Sequence, residues 1–117
     1  GAIATVASSA GMFGQAYMPG YAASKGGVVM LGRAIAWEYL KQGIRSNVVS
    51  PGGVATAMTS DVAFPEGMDF SLIQKTTAPD YKMMDPSEPA ALIAYLCSDE
   101  AAAINGAVVP IDYGITT

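Results

Sequence analysis

The sequence predicts an α/β domain built on a parallel β-sheet. Three short apolar segments are spaced along its 117 residues, and two stretches of helical character separate them. Strands that alternate with helices pair in parallel, because each helix carries the chain back to the end at which the previous strand began. Since 51% of the residues are hydrophobic and 14% are charged, the chain also has the material for a core on that sheet. We expect about three strands and two main helices.

The first predicted strand, residues 3–7, is an apolar run bounded by glycine and serine, as in strands that are buried on both faces. Residues 8–14 follow as a turn. Gly11 and Gly14 lie within it, and we expect them to adopt backbone conformations that other residues resist.

A long helix is predicted from Tyr21 to Gln42, and Gly43 is its expected stop. Apolar residues recur in it at roughly helical spacing, namely Val28, Leu31, Ile35 and Tyr39. Each glycine within such a helix weakens it by ~1 kcal/mol relative to alanine. We therefore expect three of them to permit the close approach of another backbone: Gly26, Gly27 and Gly32.

The second predicted strand spans residues 44–50 and ends at Pro51-Gly52-Gly53. The segment from Thr56 to Lys82 has no strong hydrophobic periodicity, and it contains Pro65, Gly67 and Pro79. A long irregular segment in a small domain is often a lid or a binding loop, which is the prediction here.

A second helix is predicted over residues 90–98, with Asp85 or Ser87 as the capping residue ahead of it. Cys97 falls near its end and is expected to be a small core residue. The last predicted strand spans residues 107–112 and completes the sheet.

Composition excludes several classes of function. A net charge of −4 leaves no basic patch to neutralise phosphates, so nucleic acid is not an expected partner. With one cysteine and no histidine, we expect no internal disulfide, no metal site and no histidine-based catalysis. No apolar run approaches the ~20 residues that span a bilayer, and no signal peptide is visible, so no membrane partner and a cytoplasmic setting are expected.

Tyr21 and Lys25 are the candidate catalytic pair. Their four-residue spacing puts both side chains on one face of the predicted helix. An ammonium beside a phenol favours the phenolate, and at ~4 Å it supplies about 4 kcal/mol at an effective dielectric near 20. That is enough for general acid–base work near neutral pH, and Ser8 could add a hydroxyl donor to a substrate oxygen. The alternative for an isolated pair at this spacing is an ordinary surface contact.

The loop after the second strand, Pro51-Gly52-Gly53-Val54-Ala55-Thr56, is a candidate ligand site. Loops at the carboxyl ends of parallel strands line the ligand crevice of an open sheet. Its glycines let a ligand approach the backbone and Thr56 offers a hydroxyl, although an ordinary turn is the alternative. Tyr17, four residues before Tyr21, is interpreted as pocket wall or packing.

Together these features resemble the short-chain dehydrogenase/reductase family in its single-domain form. Tyr21-Ala22-Ala23-Ser24-Lys25 matches the family's Tyr-x-x-Ser-Lys, and Pro51-Gly52-Gly53-Val54-Ala55-Thr56 is similar to its Pro-Gly-x-Val-x-Thr. The separation of Ser8 and Tyr21 (21 − 8 = 13) matches the family's usual spacing and selects Ser8 over Ser9. Residues 43–52 and 98–114 resemble further family segments, except that Tyr113 stands where the family usually has glycine.

The resemblance implies a Rossmann-like, doubly wound parallel sheet and an oxidoreductase that moves hydride between NAD or NADP and a small-molecule alcohol or ketone. By similarity, Tyr21 would exchange the proton with the substrate oxygen, Lys25 would support Tyr21 and bind the nicotinamide ribose, and Ser8 would orient the substrate oxygen. The resemblance also implies that Tyr21 and Lys25 contact the cofactor, together with Pro51, Gly52, Val54 and Thr56 at the nicotinamide end. The family also implies a homodimer or homotetramer when complete.

The family's glycine-rich pyrophosphate turn does not occur in this sequence, which begins without Met and already inside the first predicted strand. We therefore predict that residues 1–117 are the carboxy-terminal part of a single NAD(P)-binding domain. Alone, that part is expected to be inactive and to expose an apolar sheet edge. Two alternatives are a non-catalytic remnant that serves as an association module, and half of a split enzyme.

Overall fold

The predicted parallel sheet is confirmed. The computed structural model describes residues 1–60 and 62–117, and it contains three strands, β1 (Ala2–Val6), β2 (Arg45–Pro51) and β3 (Val108–Ile111). They are hydrogen-bonded in the order β1-β2-β3, and both pairings are parallel. All three carboxyl ends therefore lie at the same edge of the sheet, which is where loops can converge on a ligand.

The core is centred on β2, the middle strand. Val48 and Val49 are almost wholly buried, opposite residues 5–6 of β1 and 108–109 of β3. The amide of Asn47, also buried, donates to the carbonyl of Ile104 at 2.9 Å and accepts from the N–H of Ala107 at 3.0 Å. Both polar atoms of this buried amide have a partner, so Asn47 fixes the approach to β3 without an unsatisfied polar atom.

The long helix α1 spans Pro19–Glu38, so it begins two residues before the predicted start. A 3₁₀ turn over Leu40–Gln42 follows, and Gly43 takes the left-handed backbone (φ 70°) of the predicted stop. The helix therefore ends at Glu38, four residues before the predicted end at Gln42.

The buried face of α1 differs from the expected one. Gly32 and Ala36 are buried, whereas Leu31 and Tyr39 are exposed. A Cβ built at Gly32 would lie 2.3 Å from a methyl of Val48, so α1 packs on β2 through its smallest residues. Gly32 thus permits the approach of a side chain rather than of the predicted backbone.

The predicted lid is largely irregular, as expected. It contains one helical turn, α2 (Ala57–Ser60), and three 3₁₀ turns, at Phe70–Leu72, Gln74–Thr76 and Pro79–Tyr81. The prediction also covers Asp61, which lies outside the described residues. We call residues 62–82 the lid segment from here on.

The last helix, α3, spans Ser87–Cys97 and starts three residues before the predicted range. Asp85 caps it, because its carboxylate accepts the N–H of Ser87 at 2.9 Å while its own N–H donates to Glu88 at 3.1 Å. This reciprocal arrangement has the form of a capping box. Cys97 is exposed, so the prediction that it is a core residue is wrong. No helix among the described residues is long and apolar enough to cross a bilayer.

Candidate active site

Two of the three predicted catalytic residues are tied to the carboxyl end of β1. The ammonium of Lys25 donates to the carbonyl of Val6, the last residue of that strand, at 3.2 Å. Ser8 lies two residues beyond the strand, and the N–H of Ala7 between them donates to Val49 of β2 at 2.8 Å. Helix α1 and the turn after β1 therefore meet at the carboxyl end of the sheet, where open parallel sheets bind their ligands.

Tyr21 and Lys25 face each other along the first two turns of α1. The Lys25 Nζ lies 5.8 Å from the centroid of the Tyr21 ring, within the range of a cation–π contact. Both side chains are half-buried. No described residue hydrogen-bonds the Tyr21 hydroxyl, so the phenol is available to a group that enters the site.

Ser8 is held by its own turn. Its Oγ accepts the N–H of Ala10 at 3.2 Å and thereby caps the 3₁₀ turn over Ser9–Gly11. Ser8 is half-buried, whereas Ser9 is buried in the turn. Ser8 is therefore the more exposed of the two serines, and its hydroxyl still has a proton to donate.

Gly11 sets the distance between this turn and α1. A Cβ built at Gly11 would lie 2.6 Å from the carbonyl carbon of Lys25 and 2.9 Å from the N of Gly26. Any side chain here would push the turn off the helix at the level of Lys25. Gly11 has no positive φ, so the prediction that it adopts an unusual backbone conformation is wrong. Glycine is needed here because the turn packs closely on α1.

Pro51 and Gly52 lie at the carboxyl end of β2, next to the site. Pro51 is buried as the last residue of the strand, and the N–H of Gly52 donates to Ile111 at 2.9 Å. A Cβ built at Gly52 would come within 3.0 Å of Asp112 and 3.2 Å of Ile115. The absent side chain of Gly52 therefore makes room for the chain after β3, which is a packing role that the sequence does not reveal.

Val54 and Thr56 each leave a polar group available. Val54 forms an isolated bridge with Met84 that uses the carbonyl of Gly53 and the N–H of Ala55. The N–H of Val54 consequently has no partner among residues 1–60 and 62–117, and neither does the Thr56 hydroxyl. The amide N–H can donate to a ligand, and the hydroxyl can either donate or accept.

Thr59 organises this loop and was not identified from the sequence. Its Oγ1 accepts the N–H of Thr56 at 3.0 Å. It also lies 2.8 Å from the Val54 carbonyl, to which its single proton can be donated. A threonine three residues after Thr56 is the only sequence signal of this turn, and many threonines share that spacing.

Comparison with known proteins identifies the family of this chain. A family model described as enoyl-(acyl carrier protein) reductase matches residues 1–116. A short-chain dehydrogenase/reductase of Penicillium canescens is 38% identical over 96% of this chain and 47% of its own length. The chain belongs to the short-chain dehydrogenase/reductase family.

Other members of the family show the same partial coverage. The 3-oxoacyl-acyl-carrier-protein reductase MabA of Mycobacterium tuberculosis is 36% identical over 94% of this chain and 43% of its own length. The structure of a short-chain dehydrogenase from Mycobacterium paratuberculosis bound to NAD superposes with a TM-score of 0.85 at 35% identity, over 99% of this chain and 45% of that one. A 4-hydroxyisoleucine dehydrogenase complexed with NADH gives a TM-score of 0.79 at 32% identity, over 99% and 46%. This chain thus spans about half the length of the relatives that it matches.

Proposed function

We propose that this chain is the carboxy-terminal part of an NAD(P)-dependent oxidoreductase that interconverts a small-molecule alcohol and the corresponding carbonyl compound. The observation that carries the proposal is the placement of the Lys25 ammonium, which contacts the ring of Tyr21 and the carbonyl of Val6 at once. In the proposal a proton-transfer group lies at the ligand-binding end of a parallel sheet, beside the last residue of β1, the strand that precedes Ser8.

Each residue of this cluster has a distinct task in the proposal. Tyr21 donates its proton to the substrate oxygen during reduction and takes it back during oxidation, as a general acid–base group. The positive charge of Lys25 stabilises the phenolate left behind. Ser8 donates a hydrogen bond to the same substrate oxygen and so fixes its distance from Tyr21.

The residues present fit the nicotinamide end of the cofactor. The N–H of Val54 and the hydroxyl of Thr56 are the donors left available beside β2, and Lys25 supplies a cation that can reach a ribose hydroxyl. Pro51 is buried at the end of β2, and Gly52 packs closely against Asp112, which follows β3. When bound, the nicotinamide supplies or accepts the hydride, while the protein residues hold it and move the proton.

We further propose that activity requires the amino-terminal half of the fold. Support comes from the 43–47% coverage of the relatives and from the position of β1 at an edge of the described sheet. Ile3 and Val6 of that strand are exposed, so apolar side chains of an edge strand lack the cover that further elements would give them in a complete domain. Residues 1–117 would then be one part of a single cofactor-binding domain.

The test is cofactor oxidation by the full-length protein. NADH and NADPH are supplied in turn with a panel of ketones that includes a cyclic ketone, a diketone and a β-keto thioester. We expect at least one combination to oxidise cofactor far above the protein-free rate. The isolated residues 1–117 should bind NADH more weakly than micromolar, and micromolar binding would contradict the half-fold proposal.

A non-catalytic association module is the second candidate, and the surface of α1 favours it. Met30, Leu31 and Trp37 are exposed, with Trp37 80% accessible. If the full-length protein assembles but binds neither NADH nor NADPH, this candidate replaces the first. A split enzyme is recognised instead by activity that appears only when a second chain carrying the amino-terminal half is added.

A further inference from the structure

Tyr17 connects two parts of the molecule that the sequence keeps far apart. Its hydroxyl accepts the backbone N–H of Asp69 at 3.0 Å, across a separation of 52 residues. Tyr17 precedes α1 by two residues and lies four residues before Tyr21. The contact therefore joins the lid segment to the connection between the Ser8 turn and the helix that carries Tyr21.

The backbone of Tyr17 is held in an unfavourable conformation. Its φ is 66°, in the left-handed region that a bulky side chain seldom adopts. Such conformations persist only where the surrounding structure enforces them, and they cluster at functional sites. The left-handed backbone directs a half-exposed ring towards the lid segment, where its hydroxyl finds its partner.

Asp69 belongs to an ordered part of the lid segment. Its carboxylate accepts from the N–H of Ser71 at 2.9 Å and from the Ser71 hydroxyl at 2.6 Å, which caps the 3₁₀ turn at Phe70–Leu72. The ring of Phe70 packs edge-to-face on that of Phe64, with centroids 5.4 Å apart. A hydrogen bond to Asp69 therefore positions a small packed unit rather than a single residue.

The lid segment also approaches the turn at residues 8–14. A cavity of about 310 Å³ is bounded by Phe13 and Gly14 on one side, by Lys75 of the lid segment on another, and by residues 115–117. Lys75 of the lid segment and Phe13 and Gly14 of the turn thus line the same open space.

We propose that Tyr17 is a positioning residue that latches the lid segment against the connection between the Ser8 turn and α1. The latch thereby sets how long a bound substrate is retained. This proposal rests on the proposed function. With the latch in place, the packed unit around Asp69 is held against Tyr17, four residues before Tyr21; without it, the lid segment opens more often and substrate leaves sooner. Tyr17 does not touch the reacting atoms, and its effect is exerted through the lid segment.

Hydrogen exchange in the full-length protein tests the latch directly. Tyr17→Phe keeps the ring and removes the acceptor, so exchange of the Asp69 amide and its neighbours in residues 68–73 should speed up about fivefold, as for the loss of one hydrogen bond. Amides of Val48 and Val49 should be unchanged. Tyr81→Phe is the matched control, since Tyr81 also has a positive φ, is exposed, and has no hydroxyl partner among the described residues.

A second pair of variants removes the donor instead of the acceptor. Asp69→Pro deletes the N–H at a φ of −82°, which proline tolerates, and also the capping carboxylate. Asp69→Ala deletes only the carboxylate. If the latch exists, Tyr17→Phe speeds the exchange of residues 70–73 in the Asp69→Ala background but has no further effect in the Asp69→Pro background. Equal effects in both backgrounds would overturn the proposal.

Kinetics separate a positioning role from a merely structural one. With whichever ketone of the panel the parent protein reduces, Tyr17→Phe should raise KM about fivefold and leave kcat within twofold, because the chemistry of the retained substrate is unchanged. A fall in kcat alone, unchanged exchange at Asp69, or faster exchange throughout β2 would each overturn the latch. The exchange readout needs no turnover, so failure of the proposed function and failure of the latch are distinguishable.

Discussion

The Lys25 ammonium lies over the ring of Tyr21, 5.8 Å from its centroid, while it donates to the carbonyl of Val6. The second contact matters as much as the first. It fixes the position of the cation relative to β1, so the charge beside Tyr21 does not depend on the rotamer freedom of an exposed lysine. Lys25 thereby connects α1, which carries Tyr21, to the strand that leads to Ser8.

Lys25→Met should lower the turnover of the full-length protein by about 100-fold or more, since a positioned charge in an active site contributes on that scale. Methionine keeps the length and apolar stem of lysine but loses the charge and the bond to Val6. Steady-state kinetics and thermal unfolding, measured on the same preparation, check this. Lys41→Met, on the exposed turn after α1, is the control and should retain normal turnover.

Gly11→Ala should destabilise the protein by about 1–3 kcal/mol, the usual cost of an added methyl group where no space exists. The new Cβ would lie 2.6 Å from the Lys25 carbonyl carbon, and backbone cannot move aside as a flexible side chain can. Gly27→Ala is the matched control, because nothing lies within 4 Å of a Cβ there. It should stabilise α1 by about 0.5–1 kcal/mol. Equal free energies of unfolding for the two variants would contradict the packing at Gly11.

The contrast between these glycines shows what could be predicted from the sequence. The order of strands and helices and the spacing of Tyr21 and Lys25 are local patterns, and the structure reproduces the elements that they predict. What lies opposite Gly11 or Gly32 depends on how α1 docks on the sheet, which no local pattern records. The same reasoning explains why the exposure of Leu31 was not anticipated.

Contacts between distant residues were likewise beyond the sequence. Tyr17 was interpreted as pocket wall or packing, and its bond to Asp69 joins residues 52 positions apart. The role of Thr59 is not predictable from the sequence, because its hydroxyl bonds only backbone groups of its own turn. Residues that act through main-chain groups leave little trace in a pattern of side-chain types.

At Tyr113 we expect glycine to be more stabilising than alanine, which is the reverse of the usual order. It stands where the family usually has glycine, and its φ is 55°. Its ring lies under the Lys82 ammonium, 4.2 Å from the centroid, and its hydroxyl donates to Glu88 at 3.1 Å. Tyr113→Ala and Tyr113→Gly both remove these contacts, but only alanine keeps the left-handed strain.

We therefore expect the Tyr113→Gly variant to be more stable than the Tyr113→Ala variant by about 1 kcal/mol. Urea unfolding of the two proteins measures the difference. Elsewhere in a chain alanine is commonly the more stabilising of the two, so an alanine variant at least as stable as the glycine variant would show that the backbone at this position is not strained.

Asp85 should make stability depend on acid pH. The Ser87 hydroxyl, and next the Ser87 N–H, lower the pKa of Asp85 below the ordinary value of 3.8. A depressed pKa in the folded state contributes stability that is present above the unfolded value and is lost as the pH falls through the folded value. The loss is therefore expected below about pH 4 and not between pH 5 and 7.

The measurement compares urea unfolding of the parent protein and of Asp85→Asn at pH 7 and pH 3. Asparagine can still cap α3 but cannot ionise, so the stability advantage of the parent at pH 7 should shrink at pH 3. Asp80→Asn is the control, because no described residue donates a hydrogen bond to that carboxylate. If the free energy of unfolding differs between the parent and Asp85→Asn by the same amount at both pH values, ionisation of Asp85 is not the cause of the acid dependence.

The most direct test of the central proposal is Tyr21→Phe in the full-length protein, assayed for cofactor oxidation with the best ketone of the panel. Phenylalanine keeps the ring beside Lys25 and removes only the proton-transfer group, so turnover should fall by about 10²–10⁴-fold. NADH binding and thermal unfolding should change little, because no described residue bonds the Tyr21 hydroxyl. Normal turnover by the Tyr21→Phe protein would contradict the account.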